Sequence, residues 1–327
     1  MRIFRHYTEL PTEARGAVVA LGNFDGVHLG HQTVIGSALR IAQATGRPAG
    51  AMTFEPHPRL VFQPSLPPFR LTPFRIKARH IEALGVDFLF NQHFDKAFAD
   101  HTDEAFVKEV LVDGLGVSHV VVGYDYVFGK GRKGNCIRLA EMAAKYGFNS
   151  SCVAAVYAPD GQVYSSTAVR NHLTAGRPGE AAKLLGRYWE IEGRIEHGDG
   201  RGRTIGVPTA NIPLDEYQRP ATGVYAVRAG IDQGGATVWH DGVANFGNRP
   251  TFGGGDVVLE AHLFDFSGDL YGRHVRVALI EYLRPEQKFS GIDALKAQIA
   301  KDSAAARTIL AAHHFPDAPG PNVPSEG

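Results

Sequence analysis

The sequence predicts an α/β domain built on a parallel sheet, followed by a small antiparallel β-barrel with a terminal helix. Three observations predict it. From about residue 17 to 156, short apolar runs alternate with longer helical patterns, the texture of β-α-β units. After about residue 186 the alternation becomes residue by residue, as in half-buried antiparallel strands. Near residue 290 the period lengthens again to that of a helix. At 327 residues the chain is also too long for one ordinary core. Two domains are therefore expected, 1–186 and 187–313, with a disordered tail over 314–327.

In the first domain, strands are expected at 17–21, 50–54, 87–90, 120–123 and 153–157, each apolar enough to be buried on both faces. Val34, Ile35, Ala38, Leu39 and Ala42 recur at helical spacing after the first of them, and Gly46-Arg47-Pro48 is the stop signal. In the second half, strands are expected at 189–195, 224–227, 259–264 and 275–279. Glycine clusters at 198–206, 234–235, 242–247 and 253–255 supply turns between them. Ser290-Gly291-Ile292-Asp293 resembles a capping box, and Leu295, Ile299, Ile309 and Leu310 would lay the helix it opens on the barrel.

Thirty-four basic residues balance thirty-four acidic ones, so no overall field draws the chain onto nucleic acid or an anionic membrane. Any anion must be captured locally, and small-molecule partners are expected, with the chain a monomer or a homo-oligomer. Cys136 and Cys152 lack zinc-ligand spacing and give no support to a disulfide framework, so a reducing compartment is expected. The start carries no apolar leader and no run approaches a bilayer's thickness, which makes the cytoplasm the expected location.

The strongest motif is Gly22-Asn23-Phe24-Asp25-Gly26-Val27-His28-Leu29-Gly30-His31, between the first strand and the first helix. Free N–H groups at a helix start favour an anion, and histidines three apart on the first turn can donate to one phosphate. Nucleotidyl transfer needs such fixed donors, because charge grows on the α-phosphate as a second phosphate attacks and pyrophosphate leaves. The Gly-x-x-x-x-Gly-Lys-Ser/Thr pattern of a Walker loop is absent. Three further segments share the domain. Thr53-Phe54-Glu55-Pro56-His57-Pro58 and Gly123-Tyr124-Asp125-Tyr126-Val127-Phe128 end strands, the usual binding edge of such sheets. Ser165-Ser166-Thr167-Ala168-Val169-Arg170 opens a helix, with hydroxyls and a guanidinium suited to β- and γ-phosphates.

In the second half, the glycine-dense, basic stretch 198–206 runs into Val207-Pro208-Thr209-Ala210-Asn211. Glycines let backbone amides approach an anion, and Thr209 and Asn211 offer uncharged oxygens suited to a Mg²⁺ carried by ATP. Glu260 and His262 share one face of a strand, where a carboxylate could take the proton of a hydroxyl attacking the γ-phosphate. Spacing leaves both Glu260 and Asp265 open as that base. The segment from Gly242 to Thr251 adds Arg249 as a candidate cation.

Taken in order, these motifs, with Arg70-Leu71-Thr72 and Gly223-Val224-Tyr225, resemble the bacterial bifunctional riboflavin kinase/FMN adenylyltransferase family, also called FAD synthetase, over almost the whole chain. The resemblance implies a nucleotidyltransferase-type, Rossmann-like domain that adenylylates FMN to FAD, and a six-stranded barrel that phosphorylates riboflavin to FMN, each using ATP and Mg²⁺. It implies catalytic roles for Asn23, His28 and His31 in the first site and for Glu260 as base in the second. ATP phosphates would meet Gly22, Asp25, Gly30, Ser165, Ser166, Thr167 and Arg170 in one, and Gly202, Arg203, Gly206, Thr209 and Asn211 in the other. Thr209 and Asn211 would hold the Mg²⁺, residues 198–206 would form a mobile flap, and flavin would lie near His57, Asp125, Phe128 and Arg249. Tyr164, Tyr126 and Val207 depart from the family's usual residues without removing a catalytic group. Two alternatives stay open: one active module with another acceptor, or a flavin-binding regulator with inactive sites.

Overall fold

The computed structural model describes residues 1–196, 207–233, 236–248 and 257–313. Gly202, Arg203, Gly206, Arg249, the expected flap at 198–206, the glycines at 234–235 and 253–255, and the tail at 314–327 lie outside the described residues. Two compact units are present. The first contains Met1–Pro67 and Thr72–Ser165; the second contains Pro68–Leu71 and the described residues from Ser166 onward.

The first unit is a six-stranded, all-parallel sheet in the order β1-β4-β3-β2-β5-β6. Its strands are β1 (Arg2–Phe4), β2 (Val18–Leu21), β3 (Ala49–Glu55), β4 (Phe88–His93), β5 (His119–Gly123) and β6 (Asn149–Val153). Sequence reading missed β1, a short edge strand whose arginine breaks the apolar run. It also placed the last strand at 153–157, four residues late. Polar Asn149-Ser150-Ser151 hid β6, an edge strand with little face to bury, whereas the apolar 153–157 stretch pairs only through an isolated Tyr157 to Val163 bridge. Helix α1 (Leu29–Thr45) buries Val34, Ile35, Ala38 and Ala42 on the sheet and ends at Gly46, whose φ of 61° is left-handed. The sheet separates two apolar layers, one including Val18, Ala20, Ile35 and Val121, the other Val19, Leu21, Val120 and Val122.

Cys136, at the start of α6 (Cys136–Tyr146), is disulfide-bonded to Cys152 of β6, with Cα atoms 5.9 Å apart. This corrects the sequence expectation. They lie sixteen positions apart in sequence, but α6 runs back along the sheet and returns the chain to the same edge.

The second unit is an antiparallel sheet in the order β7-β12-β9-β10-β11-β8, nearly closed by an isolated Glu196 to Asn211 bridge beside β8. Its strands are β7 (Trp189–Arg194), β8 (Ala210–Pro213), β9 (Gly223–Asp232), β10 (Thr237–Asn248), β11 (Val257–Leu263) and β12 (His274–Arg284). The six-stranded barrel implied by the resemblance is therefore present. Glycines at 242–247, read as a turn, instead lie inside β10. A Cβ on Gly242 would stand 2.4 Å from the His262 carbonyl oxygen of the adjacent strand, so the residue is glycine because two backbones approach closely. Helices α7 (Ser166–Thr174) and α8 (Pro178–Leu185) pack within this unit, α8 against β7 and β12. Arg70 also belongs here: its guanidinium is buried and pairs with Glu216 at 3.2 Å, while the Trp189 indole donates to the Leu71 carbonyl at 2.8 Å.

The terminal helix α9 (Ile292–Ala312) begins where expected but without the anticipated cap, since its N-cap is Gly291 and no side chain bonds there among the described residues. Tertiary anchors hold it instead. Arg284 of β12 binds Asp302 through three contacts of 2.7 to 3.1 Å, and Arg228 of β9 donates to the Leu310 carbonyl at 2.8 Å.

Candidate active sites

The parallel sheet reverses its winding between β2 and β5, so the crevice outside their C-terminal ends is the natural binding edge. The loop from Gly22 to His28 lies there. His28 is the N-cap of α1, and its Nδ1 accepts from the His31 amide at 3.3 Å. An accepting Nδ1 places the neutral ring's proton on Nε2, which makes that nitrogen a donor. The His28 and His31 rings stack with centroids 3.6 Å apart, so both expected histidines converge on the helix start. Gly30 permits this: a Cβ there would stand 3.2 Å from the His28 ring and 3.3 Å from the Tyr164 Cβ. Gly22 likewise leaves room for the Phe24 ring, 2.7 Å from where its Cβ would be.

Asp25 is buried and accepts from the Thr72 amide at 3.0 Å, while the Gly26 amide donates to the Thr72 hydroxyl at 2.7 Å. The structure thus gives Asp25 work in holding the loop's shape. Two non-glycine residues of this loop, Phe24 and Val27, have φ of 48° and 41°, a conformation that persists only under tertiary restraint. His57 caps the short helix α2 (Pro58–Phe62), accepting from the Arg59 amide at 3.1 Å. Asp125 is exposed, whereas Phe128 is buried in the core beside Phe106 and Tyr126. Ser165 closes the first unit; Ser166, Thr167 and Arg170 belong to the second, where the Arg170 Nε donates to the Phe69 carbonyl at 2.8 Å.

The barrel assembles its own site through register. Asn211 of β8 lies opposite Glu260 of β11, and Glu260 lies opposite Asn245 of β10. Directly paired residues share a face, so an amide, a carboxylate and an amide stand in one row. The Asn211 side chain is buried and, among the described residues, its Oδ1 has no hydrogen-bond partner, which suits a donor or a cation brought by a ligand. Glu260 lines a cavity of ≈ 300 Å³ whose apolar wall includes Val224, Val243, Phe289, Leu295 and Ile299. Thr209 lines both this cavity and a second of ≈ 490 Å³. Asp265, the rival base, is elsewhere: exposed and paired with Arg307 at 2.8 and 3.1 Å, which holds its carboxyl below the usual carboxylate range. Of the two acids, Glu260 is the one that stands in the row with Asn211 and Asn245.

Sequence reading missed Asn245, Glu286 and Arg284. Asn245 donates to Glu286 at 3.0 Å, and all three line the Glu260 cavity. Alternation of Val243 and Asn245 along β10 was the available signal, obscured by flanking glycines.

Two family models match the chain: FAD synthetase over residues 10–168 and riboflavin kinase over residues 185–310. The bifunctional riboflavin kinase/FMN adenylyltransferase of Escherichia coli (strain K12) is 41% identical over 310 residues, 95% of this chain and 97% of that protein. This chain belongs to the bifunctional riboflavin kinase/FMN adenylyltransferase family. Another member, from Pseudomonas fluorescens, is 42% identical over 95% of this chain and 98% of its own length. A crystal structure titled as a macrolide-efflux protein from Streptococcus pneumoniae is also similar, with a TM-score of 0.82, 31% identity and coverage of 93% of this chain and 98% of that one. Among the described residues of this family member, no helix is long and apolar enough to cross a membrane. Nor do they hold a cluster of three or more His, Cys, Asp or Glu that could bind a metal ion.

Proposed function

We propose that this chain makes FAD in two ATP-dependent steps, phosphorylating riboflavin to FMN in the barrel and adenylylating FMN in the parallel-sheet unit. The observation that carries the reading is that each compact unit holds its own constellation, the stacked His28–His31 pair in one and the Asn211–Glu260–Asn245 row in the other.

In the kinase step, flavin occupies the apolar-walled cavity with its ribityl chain toward Glu260. Glu260 takes the proton of the 5′-hydroxyl as that oxygen bonds to the γ-phosphorus of ATP and ADP departs. The Asn211 Oδ1, without a partner among the described residues, fits a Mg²⁺ arriving with ATP, with Thr209 as its companion; the ion would neutralise phosphate charge. Asn211 also braces the row that positions Glu260. Gly202, Arg203 and Gly206 are assigned to ATP's phosphates and Arg249 to the flavin.

In the second step, an FMN phosphate oxygen attacks the α-phosphorus of ATP and pyrophosphate leaves. The His28 and His31 rings and the α1 amides stabilise the charge that develops, with Asn23 close to the transferred group. Ser165 serves ATP's triphosphate in this reaction, while His57 and Asp125 border the flavin. The adenylyltransferase function is assigned to 1–186 and the kinase to 187–313. The reading places the chain in the cytoplasm, where ATP is plentiful, with small molecules as its partners.

The test is incubation with riboflavin, ATP and Mg²⁺, followed by chromatography of FMN and FAD. Both products are expected; absence of both at every enzyme concentration overturns the reading.

A further inference from the structure

Lys77 of α3 (Phe74–Glu82) is fully buried, although lysine is among the residues least often found inside a protein. Its Nζ donates to Glu55 Oε1 at 2.7 Å and to Thr53 Oγ1 at 3.1 Å. Both partners lie at the C-terminal end of β3, beside the phosphate-gripping loop. Thr53 is itself fully buried, and its hydroxyl donates to the Asn23 carbonyl at 3.1 Å. A buried charge is expensive to keep unless it is well paired, so its placement at a binding edge invites a functional account.

An ammonium can only donate, and a threonine hydroxyl has a single proton. Because Lys77 donates to it, Oγ1 must accept there, and its proton is left for the Asn23 carbonyl. The direction of the whole relay is thus set by the lysine. What it holds is the first turn of a loop that carries Phe24 and Val27 at φ of 48° and 41°. Such a backbone stays in place only when it is restrained from several sides. Thr72 restrains the far end through Asp25 and Gly26, and the lysine relay restrains the near end.

We propose that Lys77 is a positioning residue for adenylyl transfer: by donating to Thr53 it aims that hydroxyl's proton at the Asn23 carbonyl and fixes the mouth of the loop that presents His28 and His31. The proposal rests on the adenylyltransferase reading of this unit.

The experiment is a double-mutant cycle on FAD formation from supplied FMN and ATP, using Lys77→Met, Thr53→Val and the pair, with Thr53→Ser as the conservative rescue. Each single loss is expected to slow kcat at least about tenfold, the pair to be no slower than the worse single variant, and Thr53→Ser to restore most of the rate. FMN formation from riboflavin should stay within twofold throughout. A Lys77→Met chain forming FAD at the wild-type rate overturns the proposal, as do losses that multiply in the pair. Should Lys77→Met melt early, Lys77→Met combined with Glu55→Met leaves neither buried charge unpaired. The proposal expects its melting temperature to return and its FAD formation to stay slow; recovery of both shows a purely structural lysine. Wild-type chain that forms no FAD overturns the underlying reading and the proposal with it, whereas failure confined to the cycle overturns the proposal alone.

Discussion

Asp302→Asn tests whether the terminal helix is a working wall of the Glu260 cavity, which Asp302 and Arg284 themselves help to line. The Asp302 carboxylate accepts from Arg284 Nε at 3.0 and 3.1 Å, from Arg284 Nη2 at 2.7 Å and from Gln298 at 2.9 Å. It is nearly buried, so asparagine removes a charge-assisted pair worth about 2 kcal/mol and leaves an uncompensated guanidinium. The same helix supplies Leu295 and Ile299 to the wall of the Glu260 cavity. If that energy keeps the wall closed on the flavin, its loss weakens riboflavin by up to about thirtyfold, at 1.4 kcal/mol per factor of ten. Steady-state FMN formation at varied riboflavin measures the change. KM should rise, while FAD formation from supplied FMN should not move. An unchanged KM beside a lowered melting temperature would refute the reasoning, since the helix would then be a strut and not a wall.

Glu260→Gln should abolish FMN formation and spare FAD formation from supplied FMN, and His31→Ala should do the reverse; loss of both activities in either folded variant speaks against separate sites. Gly30→Ala puts a Cβ 3.2 Å from the His28 ring and should slow FAD formation about tenfold, close to 1.4 kcal/mol of transition-state stabilisation, which single-turnover rates will test. Burial raises the phenol pKa of Tyr126 and of Tyr225 above the ordinary value near 10. The folded state holds those protons more tightly than the unfolded chain does, so their contribution is complete below about pH 10 and is lost as pH rises toward the folded values. Phenolate absorbance should therefore show both tyrosines ionising only as ellipticity falls; ionisation near pH 10 in a native fold would contradict this.

The buried parallel strands were legible because every residue of Val18–Leu21 faces a core, and such runs look alike in sequence and structure. Edge strands β1 and β6 were not, since a strand with one neighbour needs little hydrophobicity. Strand β10 was hidden by glycines that read as turns and serve close packing. At the sites, the histidine loop could be read because its chemistry is contiguous in sequence. The row in the barrel could not: Asn211, Glu260 and Asn245 become neighbours only through pairing across three strands, which local pattern does not encode. The Cys136–Cys152 pair was missed for the same reason, its partners meeting only once the last β-α-β turn has formed. Lys77 escaped notice because a lysine within a helix ordinarily faces water.

Gly242 sits three residues from Asn245 on β10, against the backbone of β11. Any larger residue there would pry the two strands apart three rungs from Glu260 and, under the proposed kinase reading, shift a proton acceptor that must lie within hydrogen-bond reach of its substrate. The alignment of the proposed phosphorylating centre thus depends on an atom that is missing. Mutational scanning of the barrel should therefore find this position as intolerant as Glu260 itself.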